Sequence, residues 1–145
     1  MFLGEYSHTL DKEFRLALPA PLRDAAGEQL AGGLCLTRGT EPCVVAYARE
    51  RLAQLLAGLD TDPSVDKSSA REFKRAFGSG AAVVVPDAQG RIRLPEFLRE
   101  YAGIRKDVTV VGAVDAVEIW DAATYRERAS ARRAAFERLA PRVLG

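Results

Sequence analysis

Asp11-Lys12-Glu13-Phe14-Arg15-Leu16-Ala17-Leu18-Pro19 returns 76 residues later, without a gap, as Asp87-Ala88-Gln89-Gly90-Arg91-Ile92-Arg93-Leu94-Pro95. The register reaches back to Gly4 and Gly80. It runs on through Leu22/Leu98, Arg23/Arg99, Ala26/Ala102 and Gly27/Gly103. Self-similarity at a fixed spacing marks a repeated supersecondary unit. Each copy reads alike. Asp-x-x-x-Arg suits a turn, because an Asp side chain accepts N–H groups of its own turn. Arg15-Leu16-Ala17-Leu18 and Arg91-Ile92-Arg93-Leu94 alternate as half-buried strands do. Pro19 and Pro95 end them, since proline has no N–H for a ladder. Short helices are predicted over Ala20–Ala26 and Glu96–Ala102, with Gly27 and Gly103 placed as left-handed C-caps.

Two further strands close each unit: 34–37 with 43–47, and 108–111 with 116–120. The links 38–42 and 112–115 are turn-like. A lone β-β-α-β-β unit has open edges and half a core. Two units can close one barrel by pairing across a pseudo-two-fold axis. The expected fold is α+β, one composite domain. Its expected parts are unit one over 1–50, a helical connector over 51–79, unit two over 80–121 and a basic C-terminal helix over 122–145.

Between and after the units, helical spacing recurs. Leu52, Leu55, Leu56 and Leu59 share one face of a helix over 49–59. Asp62-Pro63 suits an N-cap and first helical position for the next helix, which sets Phe73 four residues before Phe77. Over 122–139, Tyr125, Ala129, Phe136 and Leu139 line one side, and Arg126, Arg128, Arg132, Arg133 and Arg138 the other. These stripes serve either as intrachain core or as a subunit interface.

The chain has 145 residues, 48% apolar and 28% charged, an ordinary globular composition. That length buries a core without staples. The net charge of +1 gives no whole-molecule pull toward nucleic acid or membrane, so any DNA surface must be local. Residues 122–145 carry six arginines against Glu127 and Glu137, whereas residues 1–47 carry four cations against six carboxylates. The basic tail reads as a solvated face, as a partner for acidic residues of a neighbouring subunit, or as added phosphate contacts. Cys35 and Cys43 are too few for a disulfide framework or a four-cysteine zinc site. They read as two packed thiols or as one bridge across a hairpin. His8 is the only histidine, and no nucleophile elbow or phosphate loop accompanies it. No cofactor, metal or enzymatic activity is expected. Met1-Phe2-Leu3-Gly4-Glu5-Tyr6 lacks the features of a signal peptide, and Val83-Val84-Val85 is far too short to span a bilayer. A soluble intracellular protein is expected.

The doubled Asp-x-x-x-Arg units resemble the MraZ family of bacterial transcriptional regulators, built from two SpoVT-AbrB-like units. The segments Met1-Phe2-Leu3-Gly4-Glu5-Tyr6, Leu36-Thr37-Arg38-Gly39, Gly78-Ser79-Gly80-Ala81-Ala82, Leu98-Arg99-Glu100-Tyr101-Ala102-Gly103 and Val117-Glu118-Ile119-Trp120 carry the likeness too. It runs from Met1 to about Trp120. The resemblance implies a swapped-hairpin β-barrel with flanking helices, assembled into a ring-shaped homo-oligomer, an octamer or larger. It implies binding of double-stranded DNA bearing short direct repeats, repression of the division and cell-wall gene cluster that contains the protein's own gene, and a cytoplasmic, nucleoid-associated location. It places DNA contacts at Asp11, Lys12 and Arg15, and at Asp87 and Arg91, with Arg93 on the same strand as Arg91. Phe14 stands where the family usually has glycine. Either the turn needs positive φ and Phe14 is strained by roughly 1–2 kcal/mol, or the turn changes type. Each Asp–Arg pair also has a purely structural use, Asp bonding the turn and holding the guanidinium. The alternative function is a ring-forming interaction module without direct DNA binding.

Overall fold

The computed structural model describes all 145 residues, Met1 to Gly145. The first unit supplies strands β1 (Glu5–Thr9), β2 (Arg15–Ala17), β3 (Leu34–Arg38) and β4 (Val44–Ala48), with helix α1 (Ala20–Ala26) and a 3-10 turn over Gly27–Gly32. Helices α2 (Arg49–Thr61) and α3 (Lys67–Ser79) lead to the second unit. That unit repeats the series as β5 (Ala82–Val84), β6 (Arg91–Arg93), α4 (Glu96–Ala102), β7 (Asp107–Gly112) and β8 (Val117–Asp121), followed by α5 (Ala122–Glu127) and α6 (Ala129–Leu144).

The two units are interleaved. β2 pairs with β6, matching Arg15 to Arg93, Leu16 to Ile92 and Ala17 to Arg91. The remaining strands form one antiparallel sheet in the order β1-β7-β8-β4-β3-β5. Exchanging the units maps this order onto itself, reversed. The pseudo-two-fold axis therefore runs between Leu16 and Ile92 and between β4 and β8. First-unit β1 pairs only with second-unit β7, and second-unit β5 only with first-unit β3. This is the swapped-hairpin α+β arrangement.

Full closure of the barrel is not reached. β1 and β5 are the two ends of the sheet and share no hydrogen bonds. β5 has three residues, and Pro86 two residues beyond it cannot donate to a ladder. Side-chain packing does what the ladder does not. Leu16 and Ile92, almost fully buried, join Leu18, Leu94, Leu22, Leu98, Leu36, Val44, Val108, Val110 and Ile119 in one core drawn from both units. A second cluster of Cys43, Val45, Ala116, Trp120 and Tyr125 covers the other sheet face, with the Trp120 and Tyr125 rings 5.6 Å apart.

Three local expectations change. Asp62 does not open α3; Asp66 does, accepting the Ser69 N–H at 2.7 Å, while Asp62 holds a preceding turn through the Ser64 N–H at 2.9 Å. The basic C-terminal helix expected over 122–145 is two helices. Arg128 leaves helical geometry between them, donating to Glu41 at 2.8 Å and lying over Trp120. Gly103 is the expected left-handed cap (φ 66°, ψ 24°), but Gly27 (φ 59°, ψ −140°) turns the chain into the 3-10 segment. Cys35 and Cys43 are free and buried, with Cys35 opposite Tyr47 rather than Cys43. Burial pushes the Cys43 thiol up to about 12, so no reactive thiolate forms there at neutral pH. Only Leu52 of α2 and Ala70 of α3 are buried, and α6 buries no residue.

Leu16→Ala removes packing at the axis itself. It should cost about 2–5 kcal/mol in equilibrium denaturation and unfold both units in one transition. A separate transition for either unit would contradict the shared core.

Candidate nucleic-acid interface

Each Asp-x-x-x-Arg segment folds into the same turn. In the first, Asp11 Oδ1 accepts the backbone N–H groups of Glu13 and Arg15, both at 2.9 Å. Its Oδ2 accepts Arg15 Nε–H at 2.7 Å. In the second, Asp87 Oδ1 accepts the N–H groups of Gln89 and Arg91 at 2.9 Å, and Oδ2 accepts Arg91 Nε–H at 2.8 Å. The Phe14 and Gly90 N–H groups donate back to the Asp11 and Asp87 carbonyls at 3.0 and 2.9 Å. One carboxylate thus closes the turn and aims the guanidinium.

Both turns need positive φ at their fourth residue: 61° at Phe14 and 76° at Gly90. The turn keeps its type, and Phe14 takes the left-handed conformation at about 1–2 kcal/mol. The guanidinium of Arg99 lies 3.5 Å over the Phe14 ring. Cation–π contacts of this kind return about 0.5–1 kcal/mol. At Gly90 the space is taken by the Arg23 side chain, which would have to shift. A Cβ there would sit 2.7 Å from Arg23 Nη1. Arg23 and Arg99 hold matching posts, each donating Nε–H to a backbone carbonyl, Leu18 at 3.1 Å and Leu94 at 3.0 Å. Each helix arginine thereby covers the turn of the other unit. They lie outside the residues expected to form the surface, although the 76-residue register already pairs them.

The pairing of β2 with β6 brings the two turns together. Arg91 Nη1 lies 3.9 Å from Asp11 Oδ2, across the axis. Leu16 and Ile92 point into the core, so Arg15, Ala17, Arg91 and Arg93 line the outer face of a two-stranded ribbon. Arg93 is the most open of these cations, its side chain 65% exposed. Lys12 is exposed at the tip of turn one and has no ion-pair partner. All six expected residues (Asp11, Lys12, Arg15, Asp87, Arg91 and Arg93) therefore belong to one surface. The halves differ in their charges. Arg15 Nη2 meets the Glu13 carboxylate at 2.9 Å, whereas Arg91 Nη2 donates to the neutral Gln89 Oε1 at 2.6 Å.

The tail arginines are partly spoken for. Arg128 bonds Glu41, and Arg132 donates to the Tyr125 carbonyl at 2.9 Å while lying 3.5 Å over its ring. His8 lies on β1 opposite Val108, away from these turns. No group of three or more His, Cys, Asp or Glu is placed to hold a metal ion, and no helix is long and apolar enough to cross a membrane.

Comparison with known proteins places both halves of the chain in one family. A family model described as an antitoxin-like MraZ protein matches residues 1–76 and again 77–144. A transcriptional regulator MraZ of Micrococcus luteus is 43% identical over 136 residues, covering 94% of this chain and 92% of the relative. That of Kocuria rhizophila is 42% identical over 144 residues, covering 99% and 97%. That of Acetivibrio thermocellus is 38% identical over 143 residues, covering 99% and 96%. These relatives are named as regulators, a non-enzymatic role.

The turn carboxylates make a pH prediction. The Arg15 backbone N–H, joined by its side chain, holds Asp11 below the ordinary carboxylate value of 3.8, and Arg91 does the same for Asp87. A lowered native pKa means stabilisation in force above that ordinary value and lost as pH falls below it. Replacing both, Asp11→Asn with Asp87→Asn, should therefore lower Tm at neutral pH. It should also flatten the fall of Tm below about pH 4, read by circular dichroism across a pH series.

Proposed function

The chain belongs to the MraZ family of transcriptional regulators, and from that premise we propose that its β2–β6 ribbon and paired turns bind double-stranded DNA. The observation that carries the proposal is the pair of matched Asp–Arg turns held side by side on an exposed antiparallel ribbon. A two-stranded ribbon fits the major groove, and a guanidinium can fork onto guanine O6 and N7 or onto a phosphate. The aspartates keep the arginines in one rotamer, which lowers the ordering cost of binding. Lys12 and Arg93 add flexible cations at the margin. In this reading the target is DNA with short direct repeats upstream of the division and cell-wall gene cluster that holds the protein's own gene. The outcome is repression, in the cytoplasm at the nucleoid.

Short repeats call for several copies of the surface, and the chain has material for assembly. α6 leaves Phe136, Leu139, Val143 and Leu144 exposed beside its arginines. A groove of about 780 Å³ lies between α2, α3 and the sheet. Leu52, Leu55, Leu59, Phe73 and Phe77 line it together with charged residues of both signs, Arg38 and Arg51 as well as Glu41, Asp115 and Glu118. An apolar groove and an exposed apolar stripe suit packing of α6 of one copy onto the groove of the next, head to tail, the geometry that closes rings. A homo-oligomeric ring, octamer or larger, multiplies weak contacts to each repeat into avidity.

Three outcomes are expected. Arg15→Ala and Arg91→Ala should each weaken binding to the DNA upstream of the gene by about tenfold or more, with Tm unchanged within a few degrees. Salt titration of the native chain should give a steep linear fall of log K with log salt. Unchanged affinity in folded variants would favour the interaction-module alternative. Phe136→Glu should lower the assembled mass seen by light scattering without unfolding the monomer; an unchanged mass would remove α6 from the interface.

A further inference from the structure

We propose that Glu13 fills, with its own carboxylate, an anion site between Arg15 and Arg93 that a DNA phosphate takes in the complex. Glu13 is then a specificity-determining residue, an internal competitor that a phosphate must displace. The inference rests on the DNA-binding reading above.

The ribbon register sets Arg15 directly opposite Arg93. Like charges in that position repel. The Glu13 carboxylate is their common counter-ion, Oε2 at 2.9 Å from Arg15 Nη2 and Oε1 at 3.9 Å from Arg93 Nη2. A phosphate offers the same pair of oxygens to the same two guanidinium edges. Glu13 is free to leave: its side chain is 55% exposed and forms ion pairs with these two arginines alone. An exposed ion pair of this kind contributes little to folding, so opening it costs little.

The other half of the surface makes the point by contrast. The register replaces Glu13 with Gln89 and Arg93 with Ala17. The extra cation and the extra carboxylate are both exceptions to the repeat, one from each unit. The antiparallel pairing delivers them to the same half of the ribbon. A pair of exceptions meeting at one point is a built contact. Its effect is selective. Random phosphates must compete with a carboxylate already in place, whereas a phosphate held in register by neighbouring contacts displaces it. Discrimination of this kind trades affinity for specificity.

Glu13→Gln transplants the residue that turn two already carries, so the turn retains a workable sequence. The full-length native chain and this variant are titrated by fluorescence anisotropy. The probes are a duplex of the DNA immediately upstream of the coding sequence and a scrambled duplex of equal composition. The expected result is about fivefold tighter binding to the upstream duplex, a larger gain on the scrambled one, and a smaller gain when Glu13→Gln is made on top of Arg93→Gln. Weaker or unchanged binding by folded Glu13→Gln overturns the proposal, because a Glu13 that merely steadied Arg15 would lower affinity when removed. Failure of both folded proteins to bind the upstream duplex brings down the DNA-binding reading itself, and this inference with it.

Discussion

Burial of Leu16 against Ile92 is the contact on which the molecule depends. Each residue belongs to a strand of three residues, β2 or β6, too short to persist alone. Each unit also lacks a complete core. Pairing the strands edge to edge buries both residues almost fully and stitches the cores into one. The partners alternate about the axis, so inward leucine and isoleucine force the neighbouring arginines outward. The same register that builds the core therefore builds the cationic face. A slip of one residue would bury Arg15 and Arg91 and expose the apolar pair.

The turn aspartates perform two duties with one side chain. Oδ1 satisfies backbone donors that the sharp turn would strand, and Oδ2 fixes the guanidinium. The structural and the functional readings of Asp-x-x-x-Arg are accordingly not rivals here. An arginine held by its own turn loses little freedom on meeting a ligand. The cost is charge, because each turn neutralises its own arginine. This is why the average charge near zero said so little: the surface is built from compensated groups, Asp11, Asp87 and Glu13 against Arg15, Arg91 and Arg93, with Lys12 left over.

Much of this was legible in the residues. The repeat register identified the turns, the ribbon strands and both short helices, because Asp, Pro and alternating leucines impose local rules that tertiary packing did not override. The register could not say which unit each strand pairs with, since pairing across the axis is a global choice. Asp62 misled because Asp-Pro suits a helix start as well as a turn, and Asp66 lies three residues before a serine whose N–H it captures. The break at Arg128 coincides with contacts to Trp120 and to Glu41, the latter far away in sequence. Arg23 and Arg99 were visible as a matched pair, but their contact with the opposite unit's turn appears only once the units interlock.

Phe14 shows how the two halves came to differ without losing their shared geometry. Glycine suits the fourth turn position, and unit two keeps it, pressed against Arg23. Unit one carries a large ring instead, and the matching arginine, Arg99, lies over that ring. The cation–π contact thus offsets part of the backbone strain at Phe14. The exchange leaves the hydrogen bonds to the Asp11 carboxylate within 0.1 Å of their counterparts at Asp87. A duplicated frame can therefore diverge at its tips, where Lys12, Glu13 and Phe14 stand against Ala88, Gln89 and Gly90, while its axis stays fixed. Two turns with one geometry and different charge therefore present unequal faces on a symmetric frame.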